Sequence, residues 1–297
     1  MIRNLLLVAS LGLCWGFNWV AVKLALAEIP PWTLRAVGFS LATAIMFGVL
    51  FATGTSPRVP RRHWFRLAIV GVLSIAAYNI FSAFAQLTAT TSRAAVLSYM
   101  MPIWAVIFAR IVLGEPFDRR RQIGLALGGA GLIALGLPLL RSGELSIGLL
   151  FAILSGVFWA MGSVVLKRWP VDASAPVITT WQLGLAAILT GIGMLIFEGV
   201  PTALPQLPST WAGLAYNVLI GQALASTLWF VILGRMPAGI ATIGSLLVPG
   251  VGVIGATLIL GERPTMWDWL GLLLIVAAAA SVLLARPVVP PAAGKPA

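Results

Sequence analysis

Tyr78, Ser82 and Gln86 stand four residues apart, with Asn79 beside the first. At 3.6 residues per turn this spacing aligns them along one side of a helix. Ser155, Trp159 and Ser163 repeat the spacing, while Trp15, Asn18, Tyr99 and Ser245 add indole, amide, phenol and hydroxyl groups within other apolar runs. Such a mixture suits noncovalent capture of a partly apolar solute that carries a few hydrogen-bonding groups. The binding candidates are therefore Trp15, Asn18, Tyr78, Asn79, Ser82, Tyr99, Trp159, Ser163 and Ser245. Polar residues inside apolar helices also serve simply as interhelical hydrogen bonds, and Trp32, Trp64, Trp211, Trp267 and Trp269 read as interfacial anchors. Tyr78, Tyr99 and Trp159 lie too deep in their runs for that belt.

Covalent chemistry has little to work with. The chain has one histidine, His63, in a basic loop, and one cysteine, Cys14, in the middle of an apolar run. No His/Cys cluster for zinc or haem can be assembled, nor any internal disulfide. No catalytic residue, metal or other cofactor is expected, and the chain has no Gly-rich phosphate loop or paired buried carboxylates. The eight acidic residues, among them Glu28, Glu115, Asp118, Glu198, Glu262 and Asp268, fall in loops or near helix ends. A proton-coupled exporter of cations uses a carboxylate within the membrane as its relay; here none is placed mid-span.

The elements that must position these groups follow from composition. Sixty per cent of the residues are apolar and nine per cent charged, against roughly 25% charged in soluble domains. A helix crosses the hydrocarbon core with about 20 apolar residues. Ten charge-poor stretches answer to that length: 4–22, 36–57, 67–92, 94–109, 122–140, 145–166, 173–197, 199–234, 236–261 and 269–285. The fourth is short because Arg110 interrupts it, and that helix is expected to run on to Leu113. The first stretch is longer than a leader's apolar region and is read as a retained helix. Short-loop Lys and Arg residues divide 13 to 5 in favour of the side holding the 58–66 loop. By the positive-inside rule both termini are cytoplasmic. The net charge of +11 then reflects topology and contact with the lipid bilayer, with no nucleic-acid partner.

The chain is also written twice. Trp15 and Lys23 recur 144 residues on as Trp159 and Lys167. From the second helix onward the offset is 147, so that Arg35 falls on Gln182, Trp64 on Trp211, Pro102 on Pro249, and Gly114-Glu115 on Gly261-Glu262. Five helices per copy is an odd number, so the second copy enters the membrane from the opposite side. The predicted fold is an all-α integral membrane protein of ten transmembrane helices in two inverted five-helix repeats, 1–141 and 142–286, followed by a disordered Pro-rich cytoplasmic tail, 287–297.

The pattern Leu11-Gly-Leu-Cys-Trp15-Gly-Phe-Asn18-Trp, the Pro30-Pro31 pair followed by Arg35, the two matched prolines and the two Gly-Glu helix ends resemble the ten-helix EamA-type group of the drug/metabolite transporter superfamily. Within it the chain is most similar to exporters of aromatic and neutral amino acids. The resemblance implies an inner-membrane, alternating-access exporter of small-molecule substrates, working as a monomer or weak homo-oligomer, with the last helix of each half peripheral. A broad exporter of hydrophobic drugs or cations is the alternative. Pro102 and Pro249 are expected as hinges, and Glu115 and Glu262 as capping or gate-locking residues at the helix ends. Lys23 and Lys167 either snorkel or attract anions.

The charge bias yields a direct check. Cysteines placed at Ser56 and at Ser142 in a Cys14→Ala background should react with impermeant thiol reagents from opposite sides of the membrane. Labelling of both from the periplasm contradicts the ten-helix arrangement.

Overall fold

The computed structural model describes residues 2–116, 118–142, 146–228, 232 and 238–283. The expected tail 287–297, and the side chains of 238–246 with that of Ser245 among them, lie outside the described residues. These form ten helical rods without a strand: α1 Ile2–Ala25, α2 Pro31–Ala52, α3 Arg61–Thr88, α4 Thr91–Leu113, α5 Arg119–Ser142, α6 Ile147–Arg168, α7 Ala175–Phe197, α8 Pro208–Ala215 with Tyr216–Leu224, α9 Ala238–Leu260 and α10 Met266–Leu283. Seven of them, α1 to α7, are long and apolar enough to cross a membrane by their described residues alone. Successive rods run in opposite directions. The ends of odd-numbered helices and the starts of even-numbered ones therefore share a face, which we call the Glu262 face; the other is the Glu115 face.

Local sequence explains the boundaries. Proline opens α2, α7 and α8 within the first two positions, where its missing N–H costs nothing. Gly114 and Gly261 end α4 and α9 at φ of 70° and 71°, a left-handed turn that other residues resist. The next N–H then folds back, from Glu115 to the Ala109 carbonyl at 3.3 Å and from Glu262 to that of Ala256 at 3.2 Å. These are the same bonds, 147 residues apart. The prolines are less alike: α4 is interrupted at Tyr99–Met100 and restarts with Pro102 in the first turn of its second segment, whereas Pro249 lies inside an uninterrupted α9.

The repeat also governs packing. α5 lies on α10 and α2 on α7; α1 packs on α9 and α8, as α6 does on α4 and α3. Adding five to each member of a pair returns another pair of the same set. At one such crossing Gly221 of α8 leaves room for Asn18 of α1, and at its counterpart Gly162 of α6 leaves room for Ser74 of α3. A side chain on either glycine would collide with its neighbour. Both third helices contain a wider π turn, Gly71–Ala77 in α3 and Tyr216–Leu224 in α8, and the first maps into the second at the 147 offset. Periodicity in the sequence carries no sign of it.

Polar contacts at the Glu262 face join the halves. Glu198, after α7, accepts the Trp32 and Thr33 backbone N–H groups at 2.9 and 2.7 Å and the Thr33 hydroxyl at 2.8 Å. Pro30, the residue before α2, provides no side-chain cap of its own. Glu262 likewise accepts from Thr91 and Ser92 at the start of α4, and Glu28 from Gln206 and Leu207 entering α8. Each carboxylate meets orphan amides at the positive end of a helix dipole. Glu198→Ala should therefore lower stability by about 1–2 kcal/mol, the cost of a lost cap, read as a fall in Tm in detergent. Asp172→Ala, which removes only an exposed pair to Arg62 at 3.7 Å, should leave Tm unchanged; equal effects would contradict the capping role.

Candidate functional site

The face expected on α3 forms, but its partner is one that charge counting assigned to a loop. Arg35 lies one turn into α2 and is only 2% exposed. Its Nε donates to the Asn79 carbonyl at 3.0 Å and its Nη2 to Ser82 Oγ at 3.2 Å. Ser82 Oγ in turn donates to the Asn79 carbonyl at 2.9 Å, and the Asn79 amide to the Ile75 carbonyl at 3.0 Å. The Tyr78 phenol lies within electrostatic reach of both Arg35 and Tyr99. One turn beyond Ser82, the buried Gln86 Oε1 has no hydrogen-bond partner, and neither has Arg35 Nη1. The π turn ends immediately before Tyr78. Insertions of this kind recur at functional sites, and this one sets the register of the Tyr78 face relative to the first half of the helix.

Tyr99 occupies the break in α4 and belongs to a buried cluster against which Trp15 of α1 and Trp159 of α6 pack, each half-buried. Three expected aromatics thus belong to or pack against one cluster, and the fourth, Tyr78, lies within electrostatic reach of Tyr99. Ser163 donates to the Trp159 carbonyl within its own helix at 2.9 Å. Asn18 sits apart, accepting from the Asn217 amide of α8 at 2.8 Å, near Tyr216, whose phenol donates to the Cys14 carbonyl. Ser155 is taken up structurally: its Oγ lies 2.7 Å from Ser98 Oγ and ties α6 to α4. Sequence reading missed Arg35, Asn217 and Tyr216. An arginine four residues past a helix-starting Pro-Pro, ahead of an apolar run, was the available signal for the first.

The helix ends carry two further arrangements related by the repeat. At the Glu115 face, Glu115 accepts from Lys167 of the other half and from Arg121 at 2.6 Å. The hydrogen bond from Lys167 holds its carboxyl below the usual carboxylate range. A depressed carboxyl contributes stability above its unfolded value and loses it only as pH falls below that range, so this clasp stays charged at neutral pH. At the Glu262 face the matched lysine, Lys23, donates to the Gln86 carbonyl and feels Glu262 electrostatically, while Glu262 is engaged on α4. An apolar groove among α4, α5 and α6, lined by Leu97, Leu132, Leu149 and Ile153, lies apart; its one charge, Arg93, is already paired with Asp268 at 2.7 Å.

Known proteins place this geometry. The sequence model of the EamA-like transporter family matches residues 2–137 and again 146–284. The uncharacterized inner membrane transporter YedA of Escherichia coli is 28% identical, over 95% of this chain and 93% of its own. The uncharacterized transporter YoaV of Bacillus subtilis is 25% identical over 93% and 94%. A probable amino-acid metabolite efflux pump of Escherichia coli is 24% identical over 88% of each. A protein of known crystal structure, 22% identical, superposes over 95% of this chain and 96% of its own with a TM-score of 0.67, which shows the shared fold. The family and these named relatives are transporters and not enzymes. With the family pattern matched once in each half and the all-helical fold shared along the chain, this multi-pass membrane protein belongs to the EamA-like transporter family.

Proposed function

We propose that this transporter exports amino acids, favouring aromatic and neutral hydrophobic ones, together with similar small metabolites, by alternating access. The observation that carries the reading is that Tyr99 belongs to a buried cluster against which Trp15 and Trp159 pack, while Tyr78, within electrostatic reach of Tyr99, precedes Asn79 and lies one turn from Ser82 on α3. An apolar wall next to polar groups matches a solute with an apolar side chain and a polar head. The name of one relative, a probable amino-acid metabolite efflux pump, supports the same class. A broad exporter of hydrophobic cations fits less well: the described carboxylates stand at helix ends, where amides, lysines and arginines occupy them.

In this reading the two halves, 1–141 and 142–286, exchange shapes about the aromatic cluster in an inner membrane, with both termini cytoplasmic. Glu115 with Lys167 closes one end; Glu262, with Lys23 beside it, closes the other. The break at Tyr99–Met100, with Pro102 just after it, and the kink-prone Pro249 are the hinges. Since a hinge at Tyr99 moves a site residue directly, closing an end also reshapes the pocket. One chain holds every group named here, so a monomer or weak homo-oligomer suffices.

Two outcomes test this. In proteoliposomes, Trp159→Ala and Tyr78→Ala should weaken transport of large apolar amino acids relative to small ones by about tenfold to two-hundredfold, the worth of one apolar contact. Variants that keep normal Tm and an unchanged ratio of large to small substrates would remove both residues from the site. A pH gradient alone should not drive accumulation, because the Glu115 clasp stays ionised at neutral pH and the other described carboxylates are already engaged. Robust uphill uptake powered only by protons would contradict that assignment.

A further inference from the structure

We infer that Arg35 is the receptor for a carboxylate on the carried solute. This deepens the reading proposed above and names the group that every substrate must present. A guanidinium has five N–H donors and stays charged. Here it is 2% exposed, among apolar helices, and no carboxylate pairs with it among the described residues. Burial of an unpaired charge is costly. The location gives no relief, since Arg35 lies one turn into α2, far from the negative end of that helix dipole. Partial bonds to the Asn79 carbonyl and Ser82 Oγ leave Nη1 without any partner.

A purely structural role explains these facts poorly. A tie between two helices needs hydrogen bonds, not a charge. The repeat supplies the comparison within the molecule: the matching position in α7 is Gln182, buried at 6% and lying against Gly71 of α3. There a neutral amide suffices, so the fold does not require an arginine at this register. What is peculiar to the Arg35 side is Tyr78, whose phenol lies within electrostatic reach of the guanidinium and whose ring offers a surface for an aromatic or aliphatic side chain. Arginine binds carboxylates through two parallel N–H bonds from one guanidinium edge. In the conformation described here the group is closed from solvent, and a solute reaches it when the halves move apart. Cationic solutes without a carboxylate would meet a like charge and be rejected.

The full-length protein in proteoliposomes tests the inference with three probes: L-phenylalanine, L-phenylalaninamide and phenylacetate. Uptake, competition and ligand-induced thermal shift would be read on the wild type, Arg35→Gln and Arg35→Lys. The wild type should prefer the amino acid over its amide by at least about tenfold, as loss of a buried charge-paired partner requires. Arg35→Gln should erase that preference, and Arg35→Lys should keep part of it, because an ammonium lacks the planar fork. A wild type that treats acid and amide alike overturns the inference without recourse to any variant. Unchanged preference in a folded Arg35→Gln overturns it too, while leaving the amino-acid reading intact. Arg35-dependent recognition of phenylacetate without phenylalanine would uphold the carboxylate receptor and reject the amino-acid reading. No Arg35-dependent recognition of either carboxylate overturns the receptor.

Discussion

Hydrocarbon offers no hydrogen bonds, so the first amides of each membrane helix need partners from the protein or from water at the headgroup level. In this chain three glutamates supply them, and each reaches a helix of the other half: Glu28 meets the entry to α8, Glu198 the start of α2, and Glu262 the start of α4. The carboxylates thereby do two jobs. They satisfy helix ends, and they fasten one five-helix unit to the other along a single face. Polar contacts of this kind can be exchanged for water when that face opens, whereas interdigitated side chains such as Gly271 against Leu135 between α10 and α5 cannot part so cheaply. In the proposed mechanism the pair α5–α10 and the crossing of α2 and α7 form the fixed frame, and the clasped ends form the movable part.

The two halves are alike in plan and unlike in detail. Both Gly-Glu turns have the same backbone bonds, yet Glu115 holds Lys167 while Glu262 holds backbone amides and leaves Lys23 to the Gln86 carbonyl. α4 is broken at Tyr99 where α9 is continuous past Pro249. Under the proposed mechanism, a symmetric plan in an asymmetric state is one of two exchangeable conformations. The aromatic cluster sits at the broken helix, so in the proposed mechanism the element that changes shape would also touch the solute.

Much of this was legible from residues alone. Gaps between charges located all ten rods, because excluding charge from hydrocarbon is a strong constraint and leaves a plain trace. The repeat offset found the matched helix ends, since glycine at a left-handed turn is nearly obligatory. The side that Tyr78, Ser82 and Gln86 share was readable too, but not what lies opposite. Spacing reports a helical face and says nothing about its neighbour. For that reason Ser155 counted as part of a polar face although it ties α6 to Ser98, and Asn18 gave no sign of its partner Asn217. Arg35 was counted with loop charges because a positive-inside tally treats every cation as topological. The π turns left no trace, as a short run of i+5 bonds barely perturbs the apolar pattern.

In the proposed mechanism the clasped ends open alternately about the aromatic cluster. This motion is met most directly by electron–electron distance measurements on two spin-label pairs in liposomes: Arg120 with Arg168 across the Glu115 face, and Ala27 with Arg263 across the Glu262 face. Adding saturating L-phenylalanine should shift the two distance distributions in opposite directions, one widening as the other narrows. Distributions that stay fixed, or widen together, would contradict alternating access.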